Sequence, residues 1–108
     1  MPTALPTLLA RYFAATNSHD VHTMIALFSD TAVVKDEGKE HRGIHAIRKW
    51  AEEAIRQYDF QVEPTGITEA AGKTVVTGTV SGTFPGSPVQ LQHAFSFDQE
   101  KIFRLEIG

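Results

Sequence analysis

Apolar residues recur with helical spacing along the first half of the chain and with the two-residue period of strands along the second. Leu5, Leu8, Leu9, Tyr12, Phe13 and Thr16 share one face of a predicted helix. Pro6 is well placed to start it, because its missing N–H would have no partner in a first helical turn. The polar run Asn17-Ser18-His19-Asp20 breaks the pattern. Asp20 is a suitable N-cap for a second helix with Val21, Met24, Ile25 and Phe28 on one side. Ser29-Asp30-Thr31 ends that helix, and TAVVKD, residues 31–36, reads as a strand. Gly43 precedes a third helix striped with Ile44, Ile47, Trp50, Ala51, Ala54 and Ile55. From Tyr58 onward, segments 58–69, 73–84, 89–98 and 101–107 are rich in Val, Ile, Thr and Phe and read as strands. AAGK, FPGSP and DQEK are the expected connections.

Helices first and strands later argue for an α+β fold, with helices packed on one face of an antiparallel sheet. Along VQLQHAFSF, Val89, Leu91, His93, Phe95 and Phe97 share one face, and Gln90, Gln92, Ala94 and Ser96 share the other. In the final strand the same alternation puts Phe103, Leu105 and Ile107 together, opposite Ile102, Arg104 and Glu106.

The 108 residues suit one domain with a core of its own. Without cysteine there is no disulfide framework, thiol catalysis or thiolate metal site. A net charge of −3 offers no electrostatic case for nucleic acid, and no apolar run approaches a membrane span. The opening segment MPTALPTLLARYF lacks the basic region and cleavage site of a signal peptide, so a cytoplasmic protein is expected.

Three polar side chains lie on faces that read as buried. Tyr12 is on the first helix, Asp36 shares a strand face with Val34, and His93 stands in an apolar row. Each has a plainer reading: a core tyrosine with its hydroxyl at the rim, a turn residue ahead of Glu37-Gly38, a satisfied core histidine. Together they suit acid–base chemistry. A carboxylate in a dry site becomes a better proton acceptor near neutrality, and a phenol and an imidazole can donate to a developing oxyanion. Phe28, Val34, His41, Trp50, Phe60, Phe84, Phe95 and Phe97 are candidates for pocket walls, although aromatic residues are by default core. His41 follows Asp36 by five residues and is a candidate to pair with it across a hairpin, or else faces solvent. His19, His22 and His45 are expected to be exposed, and no dense ligand motif supports a metal site.

RYFAATNSHDVHTMIALFSDTAVVKDEG, residues 11–38, resembles the N-terminal part of ketosteroid isomerases and, more widely, the SnoaL-like branch of the NTF2-like superfamily. HRGIHAIRKW, residues 41–50, is similar to the third helix of the same group. The resemblance implies one SnoaL-like domain over residues 1–108, shaped as a cone in which a curved antiparallel sheet wraps three N-terminal helices around a pocket. It implies Tyr12 as oxyanion donor and Asp36 as general base. His93 falls where the isomerases carry a protonated aspartic acid, a departure that leaves a pocket with a base and donors but changes the acidity of one donor. The expectation is a protein that binds an apolar, cyclic small molecule. Either it is an isomerase moving a proton beside a ketone, or a cyclase-like enzyme in the same pocket, or a non-catalytic binding or dimerisation module. No cofactor is implied. The face carrying Gln90, Gln92, Ala94 and Ser96 suits a homodimer contact.

Overall fold

A computed structural model describes residues 5–108. Residues 1–4, part of the expected 1–108 domain and of the segment weighed as a signal peptide, lie outside the described residues. The elements run α1 (Thr7–Asn17), α2 (Val21–Ala26), β1 (Phe28–Asp36), β2 (Lys39–Arg42), α3 (Gly43–Tyr58), β3 (Gln61–Ala70), β4 (Lys73–Ser81), β5 (Val89–Asp98) and β6 (Lys101–Ile107). They form an open six-stranded sheet in the order β2-β1-β6-β5-β4-β3. Leu9, Tyr12, Phe13, Met24, Ile47 and Trp50 from the helices meet Val34, Val76, Phe95, Ile102 and Leu105 from the sheet in one buried core. No helix among the described residues is long and apolar enough to cross a membrane.

Local chemistry accounts for the boundaries. The Asp20 side chain accepts from the Thr23 N–H and the Thr23 hydroxyl, closing the start of α2 as expected of an N-cap. Asp59 in the left-handed region (φ 45°) ends α3, so Tyr58 closes that helix instead of opening a strand. Phe28 also differs from expectation. It begins β1 beside Ile102 of β6, since sheet pairing outweighs a helical spacing that a six-residue helix can hardly sustain.

Two features of the sheet escape a simple alternating pattern. β1 and β6 pair in parallel, whereas every other neighbouring pair is antiparallel. The β5–β6 register slips between Ser96/Arg104 and Phe97/Ile102, a bulge at Phe103. Ile102 and Leu105 are therefore both fully buried, and Phe103, expected beside Leu105, is turned outward and exposed. The extra residue shifts the side-chain phase by one, which reverses the expected faces on its N-terminal side.

Two connections shape one end of the molecule. The Asn17 side chain donates to the Val62 carbonyl at 2.8 Å and accepts from the Val62 N–H at 2.7 Å, and His19 Nε2 lies 2.9 Å from the Phe60 carbonyl oxygen. His19, expected to be exposed, is half-buried because it bridges the α1–α2 turn to the start of β3. The segment that follows β4 at Ser81 packs against the end of α3. Thr83 N–H donates to the Tyr58 carbonyl at 2.7 Å, and a Cβ on Gly82 would collide with that same oxygen. The close approach brings Phe84 edge-on to Tyr58, with ring centroids 5.7 Å apart.

Candidate functional site

A cavity of about 460 Å³ opens between α1, α3 and the inner sheet face. Tyr12, Phe13 and Thr16 of α1 line it together with Trp50, Ala54 and Tyr58 of α3. The sheet contributes Asp36, Val62, Val80, Val89, Leu91, His93 and Ile107, and the connecting segments add Glu37, Phe60, Phe84 and Pro85. Buried Tyr12, Phe13, Thr16 and His93 mark its inner end. Exposed Glu37 and Pro85, with half-buried Tyr58 and Phe84, mark its mouth.

Asp36 is the last residue of β1. It pairs with Lys39 across a tight turn in which Glu37 and Gly38 both take positive φ. It therefore closes a hairpin and also reaches the cavity, so the two readings of this residue are compatible. The strand alternation that buries Val34 carries Asp36 inward, where its carboxylate Oδ2 accepts from Trp50 Nε1–H at 3.0 Å. Partial desolvation raises the Asp36 pKa, and the adjacent Glu37 charge adds to the rise. The Trp50 hydrogen bond is the chief opposing influence, with a smaller one from His41. No ion pair among the described residues includes Asp36.

Tyr12 is held by rings on several sides, with Phe13, Phe95 and Phe28 edge-on at centroid distances of 5.2, 5.4 and 6.0 Å. Burial raises the phenol pKa strongly, and the Asp36 charge raises it further, so Tyr12 stays a neutral donor across the physiological range. His93 is 4% exposed, sits edge-on to Phe13 at 5.5 Å and stacks on Phe95 at 6.5 Å. Burial pulls its pKa down to about 4, against a weaker opposing pull from the backbone of Val76 and Leu91. Neither backbone group meets hydrogen-bonding geometry with Nδ1, which has no partner among the described residues. Gly78 on the neighbouring strand leaves room for the Val62 side chain beside the ring. A Cβ there would stand 3.5 Å from His93 Cε1 and 2.8 Å from Val62 Cγ1.

Of the expected wall residues, Trp50, Phe60 and Phe84 line the cavity. Phe28, Val34, Phe95 and Phe97 do not: the first three are buried in the core, where Phe28 and Phe95 pack edge-on against the Tyr12 ring, and Phe97 is exposed. His41 is also set back from the cavity. It lies opposite Val34 in the β1–β2 ladder and packs against Trp50 at 6.2 Å, so it does not bridge to Asp36. Tyr58, which the residue pattern assigns to a strand, stands at the end of α3 as a wall residue. Its spacing from Trp50 and Ala54, at i, i+4 and i+8, was the available signal. Its hydroxyl donates to Glu37 Oε1 at 3.1 Å across the mouth. Among the described residues no group of three or more His, Asp and Glu side chains is placed to hold a metal ion.

An open, curved sheet folded against three helices, with a cavity between them, defines the NTF2-like class of α+β proteins. Within that class the chain belongs to the SnoaL-like family, whose domain model matches residues 9–105. A proposed polyketide cyclase from Sinorhizobium meliloti has 38% identity to it, with 96% of this chain and 95% of that chain covered and a TM-score of 0.92. A Catenulispora acidiphila protein with a ketosteroid isomerase-like fold has 16% identity and a TM-score of 0.84, with 97% of this chain and 86% of that one covered. SalBIII, an epoxide hydrolase/cyclase-like enzyme of pyran ring formation in salinomycin, has 19% identity and a TM-score of 0.77, with 93% and 85% covered. The last two likenesses speak to the fold alone. No curated protein matches the chain.

Proposed function

We propose that the protein binds an apolar, ring-containing ketone in this cavity and moves a proton at the carbon beside its carbonyl. The supporting observation is that Tyr12, Asp36 and His93, from three separate elements, line one largely apolar cavity. In this reading the Asp36 carboxylate takes the proton. The C–H electron pair becomes a C=C bond, and the carbonyl pair moves onto oxygen. The Tyr12 hydroxyl and one N–H of neutral His93 donate to the resulting enolate. The Asp36 carboxylic acid then returns its proton to another carbon of the conjugated system, so the step is balanced and draws on no cofactor. Attack of the same enolate on a second carbonyl of a polyketide-like ketone would be a cyclisation, the activity proposed for the 38%-identical relative.

The test is turnover of cyclic β,γ-unsaturated ketones, followed by the absorbance of the conjugated product. Asp36→Ala is expected to lower kcat by at least about a thousandfold, with ketone affinity changed by no more than about threefold. Turnover unchanged in that variant removes the base assignment.

A second reading, a non-catalytic ligand-binding or dimerising module, draws support from His93. A neutral imidazole is a weaker acid than the carboxylic acid it replaces in the isomerase pattern, so the enolate would be less well stabilised. On either reading, the proposed homodimer contact is the outer sheet face that carries Gln90, Gln92, Ala94 and Ser96 of β5. Gln90 and Gln92 there are exposed, and Ala94 and Ser96 are half-buried. Equilibrium sedimentation of Gln92→Arg against the parent chain checks that contact.

A further inference from the structure

The walls of the cavity carry charge of one sign. Asp36 and Glu37 are the acidic residues among its lining, and no lysine or arginine among the described residues lines it. His93, the one imidazole in the wall, is neutral near pH 7, so it supplies no positive charge either. Asp36 is half-buried and lacks an ion-pair partner among the described residues. One of its oxygens is taken by the Trp50 indole, a neutral donor. The rings of Tyr12, Trp50, Tyr58 and Phe84 line the same cavity, and aromatic faces carry partial negative charge.

A desolvated carboxylate without a cation, set in an aromatic wall, is complementary to an ammonium ion with an apolar body. The carboxylate supplies the counter-charge, and the ring faces attract a diffuse cation that a hydrated ammonium would reach only at a large desolvation cost. The same walls repel a carboxylate ligand, because no group is present to neutralise it. We propose that the cavity is a binding site for lipophilic ammonium ions, with Asp36 as counter-ion, and that it discriminates against carboxylates of the same shape. The inference rests on the reading of this cavity as a ligand site. It goes beyond that reading in naming the charge class the site accepts. An ammonium ligand would also occupy the proposed base and so compete with a ketone.

Three probes built on one rigid hydrocarbon cage separate charge from shape: 1-adamantyltrimethylammonium, 2-adamantanone and adamantane-1-carboxylate. The only tryptophan of the chain is in the cavity wall, so its fluorescence reports binding, with calorimetry as a second measure. At pH 7.5 the ammonium is expected to bind at least about tenfold more tightly than the ketone, and the carboxylate at least about tenfold more weakly. In Asp36→Asn, which keeps an oxygen for the Trp50 indole, the advantage of the ammonium should fall to within about threefold of the ketone. Circular dichroism confirms that the variant is folded. Ketone or carboxylate binding as tight as ammonium binding overturns the proposal, as does an unchanged order in Asp36→Asn or an absence of binding by all three probes. A preference for ammonium in a protein that never turns over a ketone upholds this inference and defeats the isomerase reading. Ketone turnover without that preference does the reverse.

Discussion

Acidifying the protein should destabilise it chiefly through His93. In the unfolded chain this side chain titrates near the ordinary histidine value of 6.5, and in the folded state burial holds it down to about 4. The unfolded state therefore binds the proton more readily. The stability that depends on a neutral His93 is fully present above about pH 6.5 and is lost progressively as pH falls from there toward 4. The separation between 6.5 and 4 corresponds to about 3 kcal/mol at 1.36 kcal/mol per pH unit, of which roughly 2 kcal/mol is lost between pH 7.5 and 5. Asp36 works in the opposite sense. Its raised folded-state pKa makes the folded protein gain stability as pH falls through the carboxylate range, so the cleanest window lies above pH 5. The perturbation is His93→Phe, which keeps an aromatic ring between Phe13 and Phe95 and removes both the titration and the unpaired Nδ1. Urea unfolding at pH 7.5, 6 and 5, followed by circular dichroism, gives the stability of each protein. The parent chain should lose roughly 2 kcal/mol across this range, and His93→Phe well under 1 kcal/mol. Equal acid sensitivity in the two proteins would refute the argument that burial of a neutral His93 is its source.

Removing the indole donor by Trp50→Phe should raise the pKa of Asp36, because the Trp50 hydrogen bond is the main influence holding it down. The acid limb of a pH–rate profile for ketone turnover should then move to higher pH, whereas a purely structural role for Trp50 would lower rates without moving the limb. Gly78→Ala should cost about 1–3 kcal/mol in urea unfolding, since its Cβ would press on buried Val62 at 2.8 Å. The same methyl meets His93 Cε1 only at an ordinary contact distance of 3.5 Å, so the cost should fall on stability.

Much of this organisation was legible in the chain. The stripe Ile44, Ile47, Trp50, Ala51 follows the face that α3 buries against the core, and Asp20 marks the start of α2. The alternation through β5 correctly turns His93 inward between Leu91 and Phe95. Local spacing was informative there because helix and strand periods act over a few residues. It failed at Phe28, Tyr58 and Phe103. A parallel partner strand, a left-handed cap and a bulge decide those positions, and each depends on contacts distant in sequence or on backbone angles that side-chain patterning does not report.

The candidate site divides along the same line. Tyr12, Asp36 and His93 stood out as polar groups on apolar faces, a property each has by itself. Whether a buried ring faces a cavity or the core depends on what packs against it. Phe60 and Phe84 line the cavity while Phe28 and Phe95 pack edge-on against Tyr12 in the core, although all four are phenylalanines in apolar surroundings. The sequence by itself determined the element types, the inward direction of the three polar groups, and the lack of any thiol chemistry. Only the tertiary structure decided that Trp50 holds Asp36, that Tyr58 reaches Glu37 across the mouth, and that no lysine or arginine among the described residues lines the cavity. The physical reason is range. Periodicity orients a side chain relative to its own backbone, and a site is made by side chains that meet from different elements.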